Sequence, residues 1–285
     1  MPAKESKKLI FTNYTNKLIP NHGSVSPEKT SQFEKYHNLI VERQREYAEF
    51  CKADYIKCDS KIQDYNQLQF EKIFLLEKFA KDYDEIIYFD FDAVPNKGIP
   101  NLFDTNPEGK LRIHPVVRTY RKSEMDAALR FDQFDSMNMF VKICAKWELN
   151  QYLGFSKGPS QVYNTGVIVG DSKTISKLRF KDRLPLLNEA LENIKRESIF
   201  PKNISDRYSP NNEVYITHLL ETRNIPNSNL SMAWNFILDP TANWLKPELM
   251  RRKAYIIHHI GKQFEISFDE KVYETFLKGT GSVAA

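Results

Sequence analysis

The sequence predicts an α/β fold, a single continuous domain built on an open, mostly parallel central sheet flanked by helices. Three observations predict it. Apolar strand-like runs alternate with amphipathic helix-like segments through the first ninety residues. A compact apolar run, Ile86-Ile87-Tyr88-Phe89, leads straight into Asp90-Phe91-Asp92, and ligands of open α/β sheets bind beyond the carboxyl ends of strands. No internal repeat and no low-complexity linker divides the 285 residues.

The elements follow in order. Residues 9–12 are a first strand, followed by a polar loop that begins at Asn13 and Tyr14; 21–26 is rich in turn formers. Residues 32–51 read as a helix, with Phe33, Tyr36, Leu39, Ile40 and Tyr47 near one face. A second strand at 53–58, a helix at 68–80 and the buried strand 85–89 complete the alternation. Further on, 111–117 is a candidate strand, 136–153 a mixed helical segment and 161–169 a clear strand carrying Asn164-Thr165-Gly166. Helices at 184–196 and 213–221 and a last strand at 254–259 follow.

Composition narrows the function. Hydrophobic residues are 41% and charged residues 27%, ordinary for a soluble globular chain. The net charge of +4 is scattered, which argues against nucleic acid and fits a negatively charged small substrate. Three cysteines without metal-type spacing imply neither a disulfide framework nor a structural zinc. No run approaches eighteen apolar residues and the first residues carry no apolar leader, so the expectation is a cytoplasmic protein without a membrane span.

A D-x-D tripeptide alone says little, since about one arises by chance in a chain of this kind; Asp82-Tyr83-Asp84 is a second copy. Context separates the two. In extended backbone Asp90 and Asp92 point the same way. Two carboxylates facing one site repel unless a cation lies between them, and hard oxygen ligands suit Mn²⁺ or Mg²⁺. Such a cation bridges the phosphates of a nucleotide and neutralises a leaving diphosphate. The plain alternative is a solvated acidic turn after a strand.

With these elements in place, the chain resembles GT-A fold glycosyltransferases, and among them the family-8 (glycogenin/galactosyltransferase-like) group. Tyr88-Phe89-Asp90-Phe91-Asp92-Ala93-Val94 is similar to their "Y-L-D-x-D-x-[LV]" run. The helix with Lys72, Leu75 and Leu76 resembles the basic helix that precedes it. Tyr163-Asn164-Thr165-Gly166-Val167 is similar to "[YF]-N-[STA]-G-[VL]", Ala233-Trp234-Asn235 to "x-[WF]-N", and His258-His259-Ile260-Gly261 to the late "H-x-x-G". Asn211-Asn212-Glu213 sits where an acidic "D-Q-D" element usually falls. The ending departs from the pattern: Phe264 stands at the lysine position and Lys262 is two residues early.

The resemblance implies a nucleotide-binding half at about 8–110 and a sugar and acceptor half at about 111–264; the small residues of 279–285 read as a flexible tail. It implies a hexose moved from a nucleotide sugar, most simply UDP-linked, to a hydroxyl of a glycan, protein or lipid acceptor. Asp90, Asp92 and His258 would hold the metal; His259 would face the other side of its strand. Thr12, Asn13, Tyr14, Lys72, Asp90, Phe91, Asn164, Gly166, Gly261 and Lys262 would contact the donor, with a uracil ring on Tyr14. Glu213 would be the general base of an inverting transfer, or with Asn212 would lie near the sugar in a retaining one; an acidic residue is also ordinary at a helix start. The segment 114–134, with Arg118, Tyr120, Arg121, Arg130 and Phe131, would shape the acceptor site or simply cover it.

Two rival readings use the same residues. Asp90-Phe91-Asp92-Ala93-Val94 also fits the "D-x-D-x-[TV]" of HAD-type phosphatases, with Asp90 as nucleophile and Gly170-Asp171-Ser172 as part of the late acidic motif, although Lys173, Thr174 and Ile175 supply no second acid. The other rival is a non-catalytic nucleotide-sugar-binding domain on the same fold.

Overall fold

The structure is a computed structural model that describes residues 6–16, 26–105, 109–115, 119–131, 136–155, 158, 160–238 and 253–278. Residues 21–25 of the turn-rich stretch, 116–118 and 132–134 of the acceptor segment, and the tail 279–285 lie outside them.

The architecture is the predicted one: a central sheet with helices on both faces. Six strands form it: β1 (Lys8–Tyr14), β2 (Asp54–Asp59), β3 (Glu85–Asp90), β5 (Leu111–Pro115), β6 (Tyr163–Asp171) and β7 (Asn227–Asn229), in the order β2-β1-β3-β6-β5-β7. Five of them run one way. Only β6 is reversed, pairing antiparallel with β3 and with β5.

The pleat explains the continuous apolar runs. Leu9, Phe11, Ile86 and Tyr88 face one core, while Ile10, Ile87 and Phe89 face another across the sheet. A strand buried on both faces has no polar alternation to display.

The helices are α1 (Pro27–Phe50), α2 (Tyr65–Phe79), α3 (Lys122–Phe131), α4 (Met137–Tyr152), α5 (Ser172–Ser176), α6 (Phe180–Glu197), α7 (Lys202–Ser205) and α8 (Asn212–Thr222). Two further helices span Glu265–Phe268 and Glu270–Lys278. Capping sets the starts earlier than apolar periodicity suggests. Ser26 with Pro27 opens α1, and Asp64 opens α2 by accepting from the Gln67 N–H at 2.9 Å.

A second, three-stranded sheet adds to the predicted architecture. In it β4 (Ala93–Pro95) and β8 (Phe236–Leu238) flank β9 (Ile256–His259). Ala93 pairs with His258, and Ile237 pairs with His258 from the other side. β4 starts one residue after Asp92, so this small sheet delivers the late histidine to the acidic motif.

Candidate functional site

The site lies at the carboxyl end of β3. Tyr88 and Asp90 are two residues apart on one strand and share a face; the Tyr88 hydroxyl donates to Asp90 Oδ1 at 2.5 Å. Lys72, buried on α2, donates to the same oxygen at 2.8 Å and lies 3.4 Å from the Thr165 carbonyl. Asp92 Oδ2 accepts from Lys262 Nζ. Each carboxylate thus has one oxygen held by a lysine. The other oxygens, Asp90 Oδ2 and Asp92 Oδ1, face His258 Nε2 at 3.6 and 3.4 Å. Ligand atoms of Asp90, Asp92 and His258 all lie within 4.8 Å of one another.

These separations fit a cation. Adjacent ligands of an octahedral ion at about 2.1 Å stand about 3 Å apart, and two carboxylates with an imidazole form a donor set for Mn²⁺ or Mg²⁺. Burial alone would raise the Asp92 carboxyl; Lys262 and His258 outweigh it and hold it well below the usual carboxylate range. Asp92 is therefore an anion in the folded chain, as a ligand must be.

His258 and its neighbour diverge as strand geometry requires. His258 turns to the carboxylates, while His259 turns into the core, bonds Ser267 through Nε2 at 2.7 Å and packs 5.1 Å from the Phe264 ring. Burial pushes the His259 imidazole down to about 3. Phe264, which stands at the lysine position of the pattern, is fully buried. Lys262 reaches the site from a left-handed backbone (φ +63°), an uncommon conformation for a residue with a side chain. Gly261 donates its N–H to the Leu238 carbonyl at 3.3 Å.

Asn164 and Gly166 stand where β6 runs past the end of β3. The last β3–β6 pair is Phe89 with Val167, and the β5 register slips between Ile113 and His114, which pair with Ile168 and Asn164. The slip leaves Thr165 to Val167 as extra residues on β6. Gly166 is needed for space: a Cβ there would collide with His258 Cε1 and Nδ1 and stand 2.8 Å from Asn164 Oδ1. Asn164 engages both ends of its amide with protein, giving Nδ2 to Glu213 Oε1 at 2.8 Å and accepting at Oδ1 from the Gly166 N–H at 2.9 Å and Asn235 Nδ2 at 2.8 Å.

Glu213 opens α8, where the Asn211 side chain caps the helix by accepting from the Glu213 and Val214 N–H groups. Its second oxygen accepts from Lys142 Nζ of α4 at 2.6 Å. Burial would raise its carboxyl, but Lys142 more than offsets this and the net shift is downward. Asn212 donates to Thr165 Oγ1 at 3.0 Å and to the Gln69 carbonyl at 3.1 Å.

At the ends of β1 and β2 a cavity of about 610 Å³ is lined by Tyr14, His37, Lys57, Asp59 and Ser60 among others. Tyr14 packs 4.2 Å from the Phe91 ring, so Phe91 forms the floor of an aromatic cluster with Phe33 and His37. Thr12 Oγ1 and Asn13 Oδ1 are buried without a partner among the described residues.

Several residues here carried no role in the sequence reading. Lys142, Tyr88 and Asn235 reach the site from separate elements, and only the W-N pair hinted at Asn235. Tyr65 is another: its side chain is 37% exposed, but its phenol is raised by the desolvated setting of the hydroxyl and then by Asp90, Asp92 and Glu213, so all three carboxylates act on one hydroxyl. Conversely, the phosphatase reading loses its late acidic motif. Asp171 pairs with Glu85 at the opposite end of β3, about 16 Å from Asp90 at strand rise, and caps α5 by accepting from the Thr174 N–H at 2.8 Å. Asp84 of the chance D-x-D copy lies at that same far end, where it accepts from the Lys7 N–H.

No helix among the described residues is long and apolar enough to cross a membrane. Searched by sequence, the chain matches no protein-family model and no curated protein. Searched by structure, it is similar to galactosyltransferase LgtC in complex with donor and acceptor sugar analogs (11% identity, 97% of each chain, TM-score 0.47). It is also similar to a glycosyltransferase involved in the glycosylation of the major capsid of PBCV-1 (14% identity, 90% of this chain and 93% of that one, TM-score 0.41). A third likeness is to mouse xyloside xylosyltransferase 1 (11% identity, 88% and 97%, TM-score 0.42). All three are distant, and the function proposed next rests on the geometry of the site.

Proposed function

We propose that the chain is a metal-dependent glycosyltransferase that moves a hexose from a nucleotide sugar to a hydroxyl acceptor. The observation that carries this reading is the convergence of Asp90 Oδ2, Asp92 Oδ1 and His258 Nε2 at a strand's carboxyl end, each backed by a partner on its other atom. Mn²⁺ or Mg²⁺ held there would neutralise charge building on the leaving diphosphate. Lys72 and Lys262, one on each carboxylate, are placed to turn toward the phosphates as the donor arrives. The cavity at Tyr14 suits the nucleoside, with a uracil ring against Tyr14 and polar contacts from Asp59 and Ser60. UDP is the simplest donor carrier.

Glu213 is the residue whose role the geometry redirects. Both its oxygens are held and its pKa is lowered, features that suit a fixed negative charge beside the donor sugar better than a proton acceptor. Asn212 ties the start of α8 to Thr165 of β6 and Gln69 of α2.

Thermal shift with UDP, GDP and dTDP, with and without Mn²⁺, tests the reading. A nucleotide at a hundred times its Kd adds about 2.7 kcal/mol, a rise of roughly 4–5 °C for a chain of this size. Metal-dependent stabilisation by one nucleotide, lost in Asp90→Asn and Asp92→Asn, is expected. No stabilisation by any of them would sink the proposal. Transfer from a panel of sugar nucleotides, with NMR of the product's anomeric proton, identifies the donor and the stereochemical course.

A further inference from the structure

The amides behind His258 have one self-consistent direction. The Glu213 carboxylate only accepts, so the Asn164 atom 2.8 Å away is Nδ2. The Gly166 N–H only donates, which independently makes the other end of Asn164 an acceptor. Asn235 meets that acceptor at 2.8 Å, so it presents Nδ2 there and turns Oδ1 toward His258 Nδ1 at 3.0 Å. The hydrogen must then sit on Nδ1. Asn164, Asn235 and His258 are all buried, Asn235 completely. Nε2 is left facing Asp90 and Asp92.

We propose that Asn235, locked in one orientation by Asn164 and Glu213, is a positioning residue that fixes His258 as the Nδ1–H tautomer and so presents the Nε2 lone pair to the cation. The purpose of this arrangement rests on the metal-site reading; its direction does not. A ligand imidazole is oriented and made a better ligand by what its second nitrogen donates to. Here the acceptor is a neutral amide whose own direction is set two residues further back, by the charge on Glu213 and ultimately by Lys142.

The test is ¹⁵N NMR of histidine-labelled, metal-free full chain, followed upward in pH until the His258 signals stop moving, with those signals assigned by their loss in His258→Gln. The wild type should show a protonated Nδ1 and a lone pair on Nε2. Asn235→Leu removes the acceptor, and Asn164→Leu frees the Asn235 amide to turn over; both should move His258 toward the Nε2–H form. Mn²⁺ affinity, read by electron paramagnetic resonance, should fall roughly 10- to 100-fold in the two leucine variants. A neutral wild-type His258 that carries its one hydrogen on Nε2, or an Asn235→Leu protein that keeps the Nδ1–H form, overturns the proposal, as does Mn²⁺ affinity unchanged when the tautomer shifts. Failure of the metal reading is distinguishable: the tautomer then behaves as described, while the wild type binds no Mn²⁺.

Discussion

Gly166→Ala is the sharpest single perturbation of the site. Gly166 does not occupy the left-handed region, so alanine suits its backbone and the effect is one of space alone. The new methyl would overlap the His258 ring and stand 2.8 Å from Asn164 Oδ1, 0.6 Å inside the 3.4 Å at which ordinary contact begins. Neither neighbour can yield freely: Asn164 is fixed by three hydrogen bonds, and His258 is seated on the middle strand of the small sheet. Overpacking of this kind costs about 1–3 kcal/mol, or roughly 2–5 °C in Tm for a chain of this length. Displacing the imidazole should also weaken Mn²⁺ at least tenfold, by analogy with lost ligand support. Gly170→Ala is the control, on the same strand four residues away. Its methyl would meet Leu111 Cδ1 at 2.7 Å and Ile175 Cγ1 at 3.2 Å, both aliphatic and away from the metal ligands. It should lower Tm by a similar amount and leave Mn²⁺ binding untouched. Calorimetric titration with Mn²⁺ and thermal unfolding of both variants give the answer. Wild-type Mn²⁺ affinity in Gly166→Ala would refute the reasoning.

Other outcomes follow from the same contacts. Lys142→Met strands the buried Glu213 carboxylate and should cost about 3–5 kcal/mol in urea denaturation, with much of the loss recovered when Glu213→Gln is added. Lys262→Met removes a charged hydrogen bond proposed for the diphosphate and should weaken UDP by roughly 10- to 100-fold, while Mn²⁺ alone binds at least as well because Asp92 loses its competitor; weaker Mn²⁺ and unchanged UDP would contradict this. Burial, with Lys146 adding, pushes His218 down to about 4, and burial pushes His259 down to about 3, from an ordinary value of 6.5. A folded-state pKa below the unfolded one means that the unfolded chain takes up the proton first as pH falls. Stability is therefore full above about pH 6.5 and declines below it, by about 2 kcal/mol per histidine at pH 5. Urea midpoints at the two ends of that range should show the loss, and His259→Gln should remove about half of it.

The sheet was legible because β1 and β3 are buried on both faces and show unbroken apolar runs. Their carboxyl ends, and hence Asp90 and Asp92, followed. The small sheet was not, since three residues at Ala93–Pro95 and three at Phe236–Leu238 are too short for any period. With it went the physical reason for His258 meeting Asp92, which the sequence reading had only by resemblance. Partners of a site side chain were also hidden. Nothing in the spacing of Lys142 and Glu213 reveals that α4 lays one lysine on the first turn of α8. Gly166 is a donor contact by resemblance alone; its spacing does not reveal that the place of a side chain there is taken by the His258 ring. Phe91, read as a donor contact from its place in the tripeptide, packs with Tyr14, Phe33 and His37.

The small sheet has a kinetic consequence. Lys262 and Asp92 meet across 170 residues of chain, and the meeting depends on β9 settling between β4 and β8. Contacts of such separation form late in folding, after long loops have closed. An ion held by Asp90, Asp92 and His258 would rivet the small sheet to the large one. Its residence time would then be governed by how often β9 peels away, so that ion escape and amide exchange at Ile257 would share one opening event.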